Sequence, residues 1–398
     1  MLLADKSTEN SANFSKFAEN KRMRYFISAG EASGDLHAAE LIKALRELDP
    51  EAQFAILGGD LMAAASGVSP TIHYRDMAFM GFSEVLRNLR KIFGNFSVAR
   101  KAIDSYAPDV IVLVDYPGFN LKLASYAKSK GIPVYYYISP KVWAWKEWRV
   151  KQLRRLVKCV LSILPFEPEY FAGKGVNAVY VGNPSVEEIN ARIASSPDRA
   201  DFFASCGLDP ERPLLTLVPG SRRGEIRCNL PVMAAVAARH PDMQAVIAGA
   251  PGIDAGIYSA ITSLPVLSGV TTPLMKHASA ALVTSGTATL ECALAGTPQV
   301  ACYRANGQKI SYKIMERLIK CPFVTLPNLI AGKTVIPEML VHECTPDAVD
   351  AELVRILPGA PGRAEQMAGY ELIRRRLGTN PAAATAARTI IDMQHESA

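Results

Sequence analysis

Little in this chain would let it cross a membrane, staple itself with disulfides or hold a metal. No apolar run approaches the about 20 residues that span a bilayer. The seven cysteines, at 159, 206, 228, 292, 302, 321 and 344, include no C-x-x-C pair and are odd in number. A reduced, cytosolic protein without structural zinc is the simplest account. The six histidines lack metal-ligand spacing, no Asp-x-Asp occurs, and there is neither a G-x-G-x-x-G fingerprint nor a G-x-S-x-G nucleophile elbow. No metal and no cofactor are therefore expected. Met1 to Lys21 is polar and has no continuous apolar core of the kind a secretory signal carries. Met23 stands just before the first credible strand. Either residues 1–22 form a disordered extension or translation starts at Met23.

At 398 residues the chain is longer than one core usually supports, so two domains are expected. Hydrophobic residues make up 49% and charged residues 21%, a globular balance, and the net charge of +6 suits anionic ligands or lipid headgroups better than DNA. Short β-rich runs alternate with helical patterns, which predicts parallel sheets covered by helices. In the first half the expected strands are Arg24 to Ser28, Phe54 to Leu57, Val110 to Val114, Val134 to Ile138, Val160 to Leu164 and Val179 to Val181. In the second they are Leu214 to Val218, Gln244 to Ala248, Ala280 to Val283 and Gln299 to Cys302. Helices are expected over Arg363 to Leu377, stopped by Gly378, and over Pro381 to Met393. The fold class is α/β: two Rossmann-like doubly wound domains facing a cleft, over 23–185 and 186–355, with terminal helices over 356–398. Such sheets bind ligands at the carboxyl ends of their strands, so a donor can occupy one wall and an acceptor the other.

Four turns carry candidate chemistry. Ser285, Gly286 and Thr287 follow an apolar run and open a helix that contains Glu291. Bare N–H groups there favour a phosphate, and Glu291, one helical turn on, can accept from a ribose. An ordinary strand-to-helix turn would look the same. Gly30 to His37 follows the first strand, and Glu31, Ser33 and Asp35 offer oxygens for sugar hydroxyls or, for Ser33 and Asp35, a helix cap. Asp115 ends an apolar strand, where it serves either as a general base or as a turn aspartate. An ordinary Asp, with a pKa of about 3.9, is ionised near neutrality and would need no activation. In Pro219 to Ile226, Arg222 can hold phosphate oxygens through its planar fork; Arg223 is a second candidate or a solvated surface arginine.

Two segments are basic and amphipathic. Met77 to Phe96 sets Phe82, Leu86, Leu89 and Phe93 among cations, with Phe79 and Met80 beside them. The stripe is either core or a contact with an anionic membrane. Lys141 to Lys158 carries +6 with Trp143, Trp145 and Trp148 interleaved, a mixture that fits a headgroup interface or single-stranded nucleic acid. No other feature supports nucleic acid.

Seven motifs in order resemble the lipid-A-disaccharide synthase family: Ser28 to Asp35 (SAGEASGD), Val114 to Asn120 (VDYPGFN), Ser139 to Trp145 (SPKVWAW), Leu164 to Glu167 (LPFE), Pro219 to Arg222 (PGSR), Ser285 to Glu291 (SGTATLE) and Leu326 to Leu329 (LPNL). The resemblance runs from about Met23 to Cys344. It implies an inverting glycosyltransferase of the two-domain B-type fold, which moves 2,3-diacylglucosamine from UDP-2,3-diacylglucosamine to the 6-hydroxyl of 2,3-diacylglucosamine 1-phosphate. The site is then at the cytoplasmic face of the Gram-negative inner membrane, on an anionic lipid surface. By motif, Asp115 matches the proposed base, Arg222 the essential arginine, Asn328 a required polar residue of the cleft and Glu31 the glutamate of the glycine turn, while Glu291 would face the uridine ribose. The family also implies C-terminal helices that cross back to the first domain, exchanged between subunits if the chain is a homodimer. Glu338-Met339-Leu340-Val341 departs from the expected Glu-Leu-x-Gln, which removes a glutamine from that position. A UDP-N-acetylglucosamine 2-epimerase shares the fold but has no use for the amphipathic segment. A non-catalytic nucleotide-sugar sensor has no use for Asp115 and Arg222.

Overall fold

The computed structural model describes residues 22–77, 89–144, 147–304 and 322–396. Among them, two wholly parallel sheets are built. The first contains β1 (Arg24–Ala29), β2 (Gln53–Gly58), β3 (Ile72–His73), β4 (Val110–Val114), β5 (Val134–Tyr137), β6 (Cys159–Ser162) and β7 (Ala178–Tyr180), in the order β3-β2-β1-β4-β5-β6-β7. The second contains β8 (Leu214–Val218), β9 (Gln244–Gly249), β10 (Val266–Ser268), β11 (Ala280–Thr284), β12 (Gln299–Tyr303) and β13 (Glu338–Leu340), in the order β10-β9-β8-β11-β12-β13.

These strands are apolar on both faces because helices cover both. Tyr25, Ile27, Val110, Val112 and Val114 enter one core, while Phe26, Ile111 and Leu113 enter the core on the opposite face. Leu215, Leu217 and Leu282 likewise separate from Leu214, Ala281 and Val283 in the second sheet. The period of two is therefore present, but sequence shows it only as an unbroken apolar run. Missing from the expected set were β3, β10 and β13, all of them edge strands of two or three residues, too short to display a period. Three expected strands also end early, the last of them at Tyr180 instead of Val181. Ile138 leaves β5 with a positive φ of 58°, and Leu164 lies beyond the end of β6.

The helices that position the site are α1 (Ala32–Leu48), α2 (Asp60–Ser66), α3 (Leu89–Tyr106), α4 (Pro117–Ser129), α5 (Pro184–Ser195), α6 (Arg223–Ala237), α7 (Thr271–His277), α8 (Thr287–Ala295), α9 (Leu326–Ala331), α10 (Pro361–Leu377) and α11 (Ala382–His395). A separate apolar cluster joins the halves: Leu164, Phe166 and Trp143 beyond the first sheet meet Leu290 and Ala293 of α8 and Tyr370 and Ile373 of α10. The carboxyl edge of the first sheet is thereby brought beside the helix that leaves β11.

The chain end then returns to the first sheet. Ala386, Ala387 and Ile390 of α11 are fully buried and share a core with Ala38, Leu41 and Ile42 of α1. The alanines let the two helices approach closely. Polar ties flank this contact: Lys158 Nζ donates to the Met393 carbonyl at 2.6 Å and Gln394 Nε2 to the Tyr135 hydroxyl at 2.7 Å. Gly182 makes the crossing possible, since a Cβ there would lie 2.3 Å from the Asn380 carbonyl oxygen, at a φ of +101°. Truncating Ile390→Ala leaves a cavity in a well-filled core and is expected to lower stability by about 2–5 kcal/mol. Urea unfolding checks this; an unchanged midpoint would mean that α11 adds nothing to the first half.

Candidate functional site

Each sheet reverses its strand order once, between β1 and β4 and between β8 and β11. At such a point the two outgoing connections diverge to opposite faces, leaving a crevice at the carboxyl edge. The Glu31 turn and the Asp115 turn flank the first crevice. The Arg222 turn and the Ser285–Thr287 turn flank the second. Four candidate motifs, separated by up to about 260 residues, are thus paired by topology alone.

In the first crevice Asp115 follows β4 directly, and the Asp115 and Glu31 carboxyls adjoin. Burial, and then the neighbouring Glu31, push the Asp115 carboxyl up to about 6; Lys141 pulls it down by less. The expectation of an ordinary carboxylate is corrected: desolvation disfavours its charge, and a second acid adjoins it. The backbone at this point is left-handed at two successive residues, Asp115 at φ 44° and Tyr116 at φ 47°. Asn120 and Tyr136 both donate to the Asp115 carbonyl, at 2.8 and 2.6 Å. Asn120 stands in one of the motifs, but its partner Ser28 lies on β1, and Tyr136, the second donor to this carbonyl, lies on β5, so their convergence on Asp115 left no sequence signal.

Glu31 is the N-cap residue of α1 and is half-buried, and Ser33 is exposed on the first turn; neither makes a cap bond. Asp35 belongs elsewhere. It is buried, and its carboxylate accepts from the backbone N–H groups of Gly59, Leu61 and Met62 at 2.7 to 3.2 Å. Its place among sugar-facing residues is therefore corrected: it caps the neighbouring helix α2, on the same face of the sheet, instead of its own helix. Three backbone donors hold it in the interior.

In the second crevice Arg222 is the N-cap residue of α6, with an exposed side chain. Glu225 accepts from the N–H groups of Ser221 and Arg222 at 3.0 and 3.3 Å and from Arg222 Nη1 at 3.1 Å. Only the Glu225 half of a capping box is present, because the Arg222 guanidinium has no acceptor to offer the helix N–H groups. Arg223 is exposed at the first position of the helix. Across the crevice, Gly286 and Thr287 are exposed at the start of α8, which has no side-chain cap, and Ser285 is half-buried. The positive end of that helix is open to an anion. Glu291 accepts from the Thr272 hydroxyl, and Arg192 of α5 stands 3.5 Å away. Both partners were missed, being 19 and 99 residues distant with no motif of their own.

Asn328 is corrected from the cleft wall to the interior. It is fully buried; Nδ2 donates to the Ile336 carbonyl and to Glu338, both at 2.9 Å, and Oδ1 accepts from the N–H groups of Val335 and Ile336. Glu338 in turn accepts from the N–H groups of Val324 and Thr325. Asn328 therefore ties the start of α9 to the 335–338 segment. Val341, where the motif pattern calls for glutamine, leaves β13 at a φ of 46°.

Of the expected lipid contacts, Phe79, Met80, Phe82 and Leu86 lie outside the described residues, as does the side chain of Leu89. Phe93 on α3 is 63% exposed, with Lys122 Nζ over its ring. Trp145 also lies outside the described residues, and the other two tryptophans divide. Trp148 is 58% exposed, whereas Trp143 turns inward and donates from Nε1 to the buried Glu167 at 2.9 Å. Trp143 is thus corrected from a membrane-facing residue to part of the joint between the halves. Among the described residues no group of three or more His, Cys, Asp or Glu could hold a metal ion, and no helix is long and apolar enough to cross a membrane.

Solved structures of similar fold include a UDP-GlcNAc 2-epimerase from Neisseria meningitidis bound to UDP-GlcNAc (TM-score 0.57, 10% identity, 94% of this chain and 100% of that one) and the glycotransferase of kitacinnamycin (0.58, 17%, 94% and 99%). They establish the two-domain B-type glycosyltransferase architecture and nothing finer. The Lipid-A-disaccharide synthetase family model matches residues 25–388. A lipid-A-disaccharide synthase of Myxococcus xanthus is 42% identical over 384 residues, 93% of this chain and 97% of its own length. One of Geobacter sulfurreducens is 36% identical over 384 residues, 94% and 98%. Matched along nearly its whole length by both the family model and these relatives, the chain belongs to the lipid-A-disaccharide synthase family.

Proposed function

We propose that the chain transfers 2,3-diacylglucosamine from UDP-2,3-diacylglucosamine to the 6-hydroxyl of 2,3-diacylglucosamine 1-phosphate, giving a β(1→6) disaccharide and UDP. The observation that carries this reading is the pairing of two adjoining carboxyls in one crevice with an uncapped helix end and an exposed arginine in the other. In a single in-line displacement the hydroxyl oxygen attacks the anomeric carbon as the bond to the diphosphate breaks. Asp115 takes the hydroxyl proton, and no covalent intermediate is needed. The leaving electron pair passes to the diphosphate, which the N–H groups of Thr287 and its neighbours and the Arg222 fork stabilise, with Arg223 as a further contact. Glu291, oriented by Thr272 and Arg192, accepts from the ribose. Glu31 and Ser33 line the acceptor wall, carried by residues 23–185, and residues 186–355 carry the donor.

Exposed Phe93 and Trp148, with Lys122, Lys151, Arg154 and Arg155 near them, support docking on an anionic inner-membrane surface. A homodimer that exchanged α11 would keep the contacts this helix makes. The epimerase alternative rests on shared fold only, and the family membership argues against it.

Mass spectrometry of products from the two lipid substrates tests the reading: disaccharide with released UDP is expected, and UDP without disaccharide would refute it. Asp115→Asn is expected to bind UDP nearly normally and lose turnover, whereas Arg222→Ala weakens both; a fully active Asp115→Asn removes the base assignment. Activity should fall with acidification through an apparent pKa near 6. Glu31→Gln, which removes the adjoining acid, should move that limb to lower pH. The sign for stability is opposite to that of an ion-paired carboxylate. A carboxyl raised from 3.8 to about 6 on folding gains its proton more readily in the native state, so its ionisation opposes folding as pH rises between those values. Asp115→Asn should therefore stabilise the protein at pH 7.5 by about 1–3 kcal/mol and lose that advantage near pH 4. Thermal unfolding at the two pH values decides it; equal shifts would refute the burial argument.

A further inference from the structure

We propose that Asn120 and Tyr136 are positioning residues for Asp115: by holding its backbone carbonyl they fix the left-handed turn that presents the carboxylate to the acceptor hydroxyl. The proposal rests on Asp115 being the base.

Left-handed backbone is uncommon for residues other than glycine, and two such residues in succession need outside support. Here the support converges on one peptide. The Asp115 N–H donates to the Tyr137 carbonyl at 3.1 Å, which restrains φ. Its carbonyl accepts from Asn120 Nδ2 and from the Tyr136 hydroxyl, which restrains ψ. With both dihedrals held, the direction of the Asp115 Cα–Cβ bond is set. Asn120 is itself immobilised: Nδ2 also reaches the Val114 and Ser28 carbonyls at 3.2 and 3.4 Å, and Oδ1 accepts from the Ser28 hydroxyl at 2.8 Å. The next residue is locked from the other side. The Tyr116 hydroxyl donates to the Met77 carbonyl at 2.5 Å, and its ring occupies the space beside Gly30, where a Cβ would fall 2.2 Å from it.

Ile138 and Val341 also leave their strands left-handed, tied by their own N–H groups to the Leu161 and Tyr303 carbonyls. At Asp115 two fully buried polar side chains, from α4 and β5, are directed at the carbonyl as well. Burying an amide and a phenol is unfavourable unless each finds its partner, and an apolar pair would fill the same core more simply. Their convergence on the residue that carries the reacting carboxylate is what a site needing a fixed base requires. The glycine at 30 belongs to the same device, since the space it leaves is filled by the ring that follows the base.

Tyr136→Phe removes one donor and keeps the ring in place. Expected is a fall in kcat of about 10- to 100-fold. KM for both substrates and the affinity for UDP should stay within about twofold, since uniform binding is untouched. The acid limb of the pH profile should move down as the loosened carboxylate gains solvent. A purely structural role would lower the unfolding temperature and leave kcat and the pH profile alone, and that result would overturn the proposal. Ser28→Ala, which frees Asn120 without touching Asp115, should give a smaller change in the same direction and carries the test if Tyr136→Phe does not fold. Asp115→Asn, measured in parallel, separates the two failures. An active Asp115→Asn removes the base assignment and this proposal with it. An inactive one beside an unaltered Tyr136→Phe removes the positioning role alone.

Discussion

The reversal of strand order at the centre of each parallel sheet is the constraint on which the site depends. A right-handed crossover must go to one face or the other of the sheet, and where two neighbouring strands send their connections to opposite faces no helix can cover the gap between them. The uncovered edge is where β1 and β4, and again β8 and β11, release their chains. Within each sheet the two short turns at that place are forced next to one another, whatever their separation in sequence. The chemistry then depends on which residues stand in the turns.

The two crevices are electrostatically unlike, and the difference has a structural origin. The first holds the Asp115 and Glu31 carboxyls, half-buried, beside each other. Such a pair resists full ionisation and favours a partner that brings a proton, such as a hydroxyl. The second offers an exposed guanidinium and an uncapped helix start, both seeking an anion. Glu225 could have cancelled the arginine, but most of its hydrogen bonding goes to the turn backbone, so it shapes the loop as much as it pairs the charge. Asp35 shows the converse economy. A carboxylate in the middle of a ligand-like motif spends all its contacts on three backbone donors of α2 and thereby anchors the motif instead of serving it.

Joining the two crevices into one cleft falls to apolar contacts. Leu164, Phe166 and Trp143 press against Leu290 and Ala293, and α11 closes the chain back on the first half through small residues. This explains why a tryptophan from a basic, membrane-like stretch turns inward while Trp148, five residues on, remains exposed.

Sequence by itself determined the fold class, most of the strands and the identity of the polar turns, because central parallel strands are long apolar runs and glycine-rich exits punctuate them. It also carried the family resemblance, since motif spacing survives without coordinates. Edge strands of two or three residues were illegible for want of a period. The burial of Asp35 and Asn328 was hidden for a different reason: a polar residue in a loop motif looks the same whether it faces a ligand or a buried backbone. Only tertiary structure decides which, by supplying or withholding internal partners. It also decided that Asp115 is no ordinary carboxylate and that Asn120, Tyr136, Thr272 and Arg192 adjoin the site. A pKa and a hydrogen bond are properties of neighbourhoods, and these neighbours come from distant points of the chain, assembled only when the sheets close.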